Sequence, residues 1–167
     1  MAVSTLYSSQ ITNRDASPRV IDDANITKGA LIEAVGTLET LAADSSASKY
    51  YFCTIPSNAR VSYVKLFCDS SGTAGAMDIG LWKSTQYGGA VADQDFFASA
   101  QSVATESKVG IDVTHESAAF GLEDVEKPVW EALGLSADPM ITYDVVGFVT
   151  TALVDAGTLS LKVGYVI

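Results

Sequence analysis

Histidine is almost missing from this 167-residue sequence, in which His115 stands alone. A metal centre that needs several imidazoles in one pocket is therefore beyond a single chain. A Ser-His-Asp triad needs only one histidine, but no G-x-S-x-G element accompanies His115. It lies in the polar stretch DVTHESA and reads as a surface or turn residue. Cysteine is scarce too. Cys53 and Cys68 sit in the apolar stretches YYFCTI and VKLFCD, where a thiol packs as a small hydrophobe. Two cysteines do not make a secreted disulfide framework, and strands alone do not guarantee neighbouring β-carbons, so a bridge between them stays open. No apolar run approaches the ~20 residues of a spanning helix. The opening MAVSTLYSSQITNRD lacks a basic segment followed by an apolar one, so neither a membrane span nor a secretion signal is expected. Bases are few, ten against twenty acids, for a net charge of −10. Such a field repels phosphate backbones and anionic lipid, so nucleic acid is not expected as a direct partner, nor a membrane.

The acids that remain announce no chemistry. Glu123, Asp124 and Glu126 crowd together in GLEDVEKP, where paired carboxylates could serve glycoside hydrolysis, but the plainer reading is a solvated loop leading into a helix at Pro128. Asp22-Asp23 and Asp93, Asp95 lack the D-x-[DN]-x-[DN]-G spacing that wraps oxygens around calcium. Gly72-Thr73-Ala74-Gly75 lacks the lysine of a Walker loop and reads as a turn. Tyr50, Tyr51, Trp82, Tyr87 and Trp130 could line a sugar platform, although core packing is the commoner use of such residues. The expectation is a non-enzymatic protein with no catalytic residue, no cofactor and no metal.

What is present is apolar material in short pieces: 48% of residues are hydrophobic and 18% charged. That is too hydrophobic for a disordered chain, and the length suits one core. Residues 1–29 are rich in Ser, Thr, Asn and Asp with scattered apolar residues, and read as an extended N-terminal arm, either disordered or laid across a surface, its own or a neighbour's. Leu6, Tyr7, Ile11, Val20 and Ile21 are its candidate protein-interaction residues. Residues 30–167 read as a single all-β domain, an antiparallel β-sandwich, because about seven short β-branched and aromatic runs are separated by turn chemistry. ALIEAVGTLETL, KYYFCTI, ARVSYVKLFCD, AMDIGLWK and SKVGIDV are such runs, with Gly80 marking a bulge or close approach and Gly88-Gly89 a tight loop. In TLSLKVGYV, Leu159, Leu161, Val163 and Tyr165 alternate with Thr158, Ser160, Lys162 and Gly164, the pattern of a half-buried strand. Val154-Asp155-Ala156-Gly157 is expected to join it to ITYDVVGFVTTAL as an antiparallel hairpin. Two short helices are expected: one in ADQDFFASAQSV, with Asp93 as cap and Phe96, Phe97 and Ala100 at near-helical spacing, and one in EKPVWEALGLSADP, with Pro128 in its first turn and Gly134 as its stop.

Ile55-Pro56-Ser57-Asn58-Ala59-Arg60, Asp95-Phe96-Phe97-Ala98-Ser99 and Trp130-Glu131-Ala132-Leu133-Gly134-Leu135, in this order over roughly Ala30 to Ile167, resemble a group of small virion proteins of tailed bacteriophages. The resemblance implies a jelly-roll type of sandwich and a capsid decoration or cement protein. Such a protein would sit on the capsid exterior, bind the major capsid protein lattice and form a homo-oligomer, dimer or trimer. It implies no active site. The alternative is a phage surface adhesin or carbohydrate-binding module, for which exposure of Trp82, Tyr87 or Trp130 on one face is the structural sign.

Overall fold

The computed structural model describes residues 6–27 and 29–167. The chain divides into two units, Met1–Ala30 and Leu31–Ile167. The first was expected to be extended, and it is helical in two places: α1 (Ser9–Asp15) and α2 (Ala24–Thr27). After α1 the chain turns back on itself, because Asn13 Nδ2 donates to Asp22 Oδ1 at 2.7 Å and the Val20 amide donates to the Asn13 carbonyl at 3.2 Å. Helix α1 buries none of its residues. A helix this short is not stable in water by propensity, so it needs a surface to dock on.

The described residues of the second unit form eight strands: β1 (Leu31–Glu39), β2 (Lys49–Pro56), β3 (Arg60–Cys68), β4 (Ala76–Lys83), β5 (Val91–Ser102), β6 (Ser107–Asp112), β7 (Thr142–Thr151) and β8 (Thr158–Val166). They make two four-stranded sheets, ordered β1-β8-β3-β6 (sheet 1) and β2-β7-β4-β5 (sheet 2). Every pairing is antiparallel. The pairing is also nested, β1 with β8, β2 with β7, β3 with β6 and β4 with β5, as if one long ribbon had been folded over itself. The β-sandwich expected from the spacing of apolar runs is what forms.

Alternation decides which side chains enter the core. Leu159, Leu161, Val163 and Tyr165 of β8 are all buried, as are Val61, Val64 and Leu66 of β3 beside them and Ile79, Leu81 and Val145 of sheet 2. At one end Phe96, Phe97 and Phe120 close the core with ring centroids 4.9 to 5.7 Å apart, edge-to-face and tilted geometries that suit the aromatic quadrupole. Helix α3 (Val129–Ala132) follows Pro128, and its first amides have no partner within so short a helix. They are satisfied by the turn between β2 and β3: Val129 N donates to Ala59 O at 2.8 Å and Trp130 N to Ser57 O at 3.0 Å. Gly134, at φ +74°, ends the helix as its position in the sequence suggested.

In the second unit two expectations fail. The segment ADQDFFASAQSV lies in strand β5, not in a helix. Its register against β4 breaks three times and Ala100 takes φ +52°, so consecutive residues Phe96, Phe97 and Ala98 all turn inward and imitate helical spacing. Nor do β7 and β8 form a hairpin: β7 pairs with β2 and β4, β8 with β1 and β3. The link between them crosses from one sheet to the other, held down by buried Leu153 and by Val154 and Asp155 amides on the Ser71 carbonyl. Cys53 lies in sheet 2 and Cys68 in sheet 1, and both are free thiols. Burial pushes Cys53 up to about 12, far from the thiolate range that makes a cysteine reactive.

Candidate interaction surface

Of the residues expected to bind protein, Leu6 and Tyr7 precede α1, Ile11 lies on it, and Val20 and Ile21 lie beyond it. Four are well exposed: Leu6 89%, Tyr7 68%, Val20 50% and Ile21 90%. Tyr7 and Ile11 meet Thr12, Asp15 and Ala16 around an open hollow of about 470 Å³. Leu6, Val20 and Ile21 do not join it.

The outer face of sheet 1 carries a groove of about 360 Å³. Its row of cross-strand neighbours is Thr37, Ser160 and Phe67, with the two hydroxyls bonded to each other at 2.6 Å. The Phe67 ring leans toward Gly110, where a β-carbon would sit 2.8 Å from it, and Lys162 Nζ stands 5.8 Å from the ring centroid. The next row runs Val35, Lys162, Lys65, Asp112, so the central like-charged pair is flanked by an aliphatic residue and an acid. Nothing but the alternation Tyr63, Lys65, Phe67 hints at this groove in the sequence, because the strand order assembles it.

A second hollow, about 330 Å³, is mostly apolar and is lined by Val91, Leu133, Leu135, Pro139, Ile141 and Tyr143, among others. Burial, with Asp138 nearby, raises the Tyr143 phenol above its ordinary value.

The remaining candidates have structural duties. His115 is exposed on a turn, its Nδ1 2.9 Å from the Phe120 carbonyl and its ring stacked on Phe120. Among the clustered acids, Asp124 accepts from Lys127 Nζ at 2.7 Å and from the Gly121 amide at 3.1 Å. The lysine bond, more than the opposing desolvation, holds its carboxyl below the usual range. A depressed pKa stabilises the fold fully above the unfolded value of about 4 and loses that contribution as pH falls through the lower folded value. Asp124→Asn is therefore expected to cost about 1 kcal/mol at neutral pH, discounted for the exposed lysine, with the gap from wild type closing in acid. Urea unfolding at a series of pH values measures this. Trp82 is buried, stacked with Phe148 at 6.4 Å, whereas Tyr87 is 42% exposed and Trp130 half-buried. The three indole and phenol rings do not make one exposed platform.

No helix among the described residues is long and apolar enough to cross a membrane. No protein-family model matches the chain, and no curated protein matches it. Among solved structures, a chain of the cyanophage Pam1 capsid asymmetric unit has a similar fold, with a TM-score of 0.56 and 15% sequence identity. The match covers 89% of this chain and 93% of that one, so the two architectures correspond nearly end to end.

Proposed function

We propose that this chain is a non-enzymatic structural protein of a tailed-phage virion, a decoration or cement protein that binds the outer surface of the major capsid protein lattice. The observation that carries the reading is the end-to-end likeness to a chain of a phage capsid asymmetric unit. The nested strand order, which we read as a jelly roll, agrees with it. So do the uncovered apolar residues of the first unit, which suit a part that is completed by a neighbour.

Cementing follows from mass action. A protein that binds the assembled shell and not its dissociated subunits stabilises the shell by RT ln(1 + [L]/Kd) at each site. A repeated lattice adds multivalency, so each contact can be modest. The charge distribution is compatible with this. Residues 1–29 hold three bases (Arg14, Arg19, Lys28) and three acids (Asp15, Asp22, Asp23), so the sandwich carries the whole net charge of −10. The neutral segment can approach an acidic neighbour that would repel the sandwich.

The test is co-sedimentation of the purified protein with phage particles that lack it. Saturable binding at a fixed ratio to the major capsid protein is the expected result. Particles that sediment without it, at any concentration of added protein, would refute the reading.

A further inference from the structure

Among the described residues four strands form the sheet edges: β1 and β6 in sheet 1, β2 and β5 in sheet 2. Natural sheets blunt such edges with lysine, proline, bulges or shortness, because an open edge is a template for another strand. Three of these edges are blunted. Strand β2 begins with Lys49, ends with Pro56 and is irregular between Tyr51 and Cys53. Strand β5 is bulged three times and holds Asp93 and Asp95. Strand β6 has six residues, among them Lys108 and a Gly110 at φ +83°.

Strand β1 has no bulge, proline, lysine or shortness to protect it, and its only charges are Glu33 and Glu39. It pairs with β8 through nine consecutive residues without a register shift, and contains neither proline nor lysine. Its two charges are turned onto its own sheet. Tyr63 Oη donates to Glu33 Oε2 at 2.5 Å, Lys162 Nζ lies 3.6 Å from Glu33 Oε1, and Thr158 Oγ1 donates to Glu39 Oε1 at 2.8 Å. Apart from Thr37, whose hydroxyl is bonded to Ser160, what remains exposed on the strand is apolar: Leu31 is 58% exposed, Ile32 39% and Val35 51%.

We infer that the free edge of β1 is the docking site of a second copy of this chain, β1 pairing antiparallel with β1 about a two-fold axis at Val35. The occupant is a second copy because the strand is complementary to itself. A two-fold pairs each residue with its reflection, so the residue on the axis decides the register. An axis at Gly36 sets Glu33 opposite Glu39, and one at Glu33 sets that residue against itself. The axis at Val35 sets Leu31 opposite Glu39, Ile32 opposite Leu38, Glu33 opposite Thr37 and Ala34 opposite Gly36. It keeps all nine residues of β1 paired, separates like charges and brings the two Val35 side chains together on the outer face. Sheet 1 then continues from one copy into the next. The inference stands on the sandwich alone and does not depend on the virion reading.

The experiment is light scattering on the full-length protein at micromolar concentration, with crosslinking of Val35→Cys under mild oxidation. The parent protein, with its own two thiols, is the background. The expected result is a dimer, a covalent dimer from Val35→Cys but not from Leu31→Cys, and a folded monomer from Val35→Lys that still unfolds cooperatively, at a melting temperature that no longer depends on protein concentration. Three results would overturn the inference: a monomeric or trimeric wild type, a dimer that persists in Val35→Lys, or equal crosslinking at Leu31 and Val35. If Val35→Lys fails to fold, the cysteine pair alone decides.

Discussion

Gly80→Ala is expected to leave the chain without a cooperative native state. Gly80 lies in β4 under strand β5, and a β-carbon there would stand 2.1 Å from the Gln94 carbonyl oxygen and 2.3 Å from that of Asp93. Both are backbone atoms, so no rotamer change relieves the clash. Strand β5 arches over this point through its register breaks, and the arch is pinned by the buried Asp78. Its Oδ1 accepts the Ala100 amide and its Oδ2 accepts Gln94 Nε2, each at 2.7 Å. Lifting β5 would break those bonds and unseat Phe96 and Phe97, both fully buried just beyond. A loss beyond about 4 kcal/mol is in range for such a site, against a total stability of roughly 5–15 kcal/mol for a domain. The measurement is urea unfolding followed by tryptophan fluorescence. Gly134→Asn is the control: its site is open, at φ +74°, a backbone conformation asparagine tolerates. If Gly80→Ala unfolds at a midpoint near wild type, the arch is not rigid as described.

The same arch shows what the sequence could and could not reveal. Gly80 stood out because a glycine inside an apolar run has few other uses. The strand that covers it was hidden, since bulges let Phe96 and Phe97 both face inward and erase the period of two. In β8 the period survives as far as Val163, and the four alternating apolar residues are all buried, joined at the strand's end by Gly164 and Val166. Yet the period reports only which side chains face the core, not which strand lies alongside. The short link from Leu153 to Gly157 looks like a hairpin turn, and it instead spans two sheets, because β8 finds its partners in β1 and β3, each over ninety residues earlier. Pairing at that separation leaves no local mark in a single sequence. Exposure in the first unit was legible for a related reason. Leu6, Tyr7 and Ile21 stood out as apolar residues in a polar segment too short to cover them, and they are exposed. The edge of β1 was not legible, since its lack of protection matters only once it is known to be an edge.

Deleting residues 1–29 is expected to abolish particle binding while leaving the sandwich as stable as before. The stability half of the prediction rests on the core, whose buried and packed residues, among those described, all come from Ala34 onward. With that core intact, the melting temperature should move by no more than a few degrees, the response to roughly 1 kcal/mol in a domain of this size. The binding half rests on exposure. Leu6, Tyr7 and Ile21 are 68 to 90% exposed, and fully burying side chains of this size is worth about 1.5–3 kcal/mol each before the cost of ordering the segment. Loss of even one such anchor should weaken binding about tenfold or more, since about 1.4 kcal/mol is a factor of ten. The order of single variants is informative. Tyr7→Ala should cost most, because aromatic anchors dominate interfaces, followed by Leu6→Ser and Ile21→Ser. Ile11→Ser should cost less binding and more α1 helicity, since Ile11 is already half-covered by its own segment. Co-sedimentation with particles lacking the protein measures binding, and calorimetry of the same samples measures stability. Full binding by the truncated chain would move the contact onto the sandwich, where the groove around Phe67 and the hollow around Leu135 are the surfaces left to carry it.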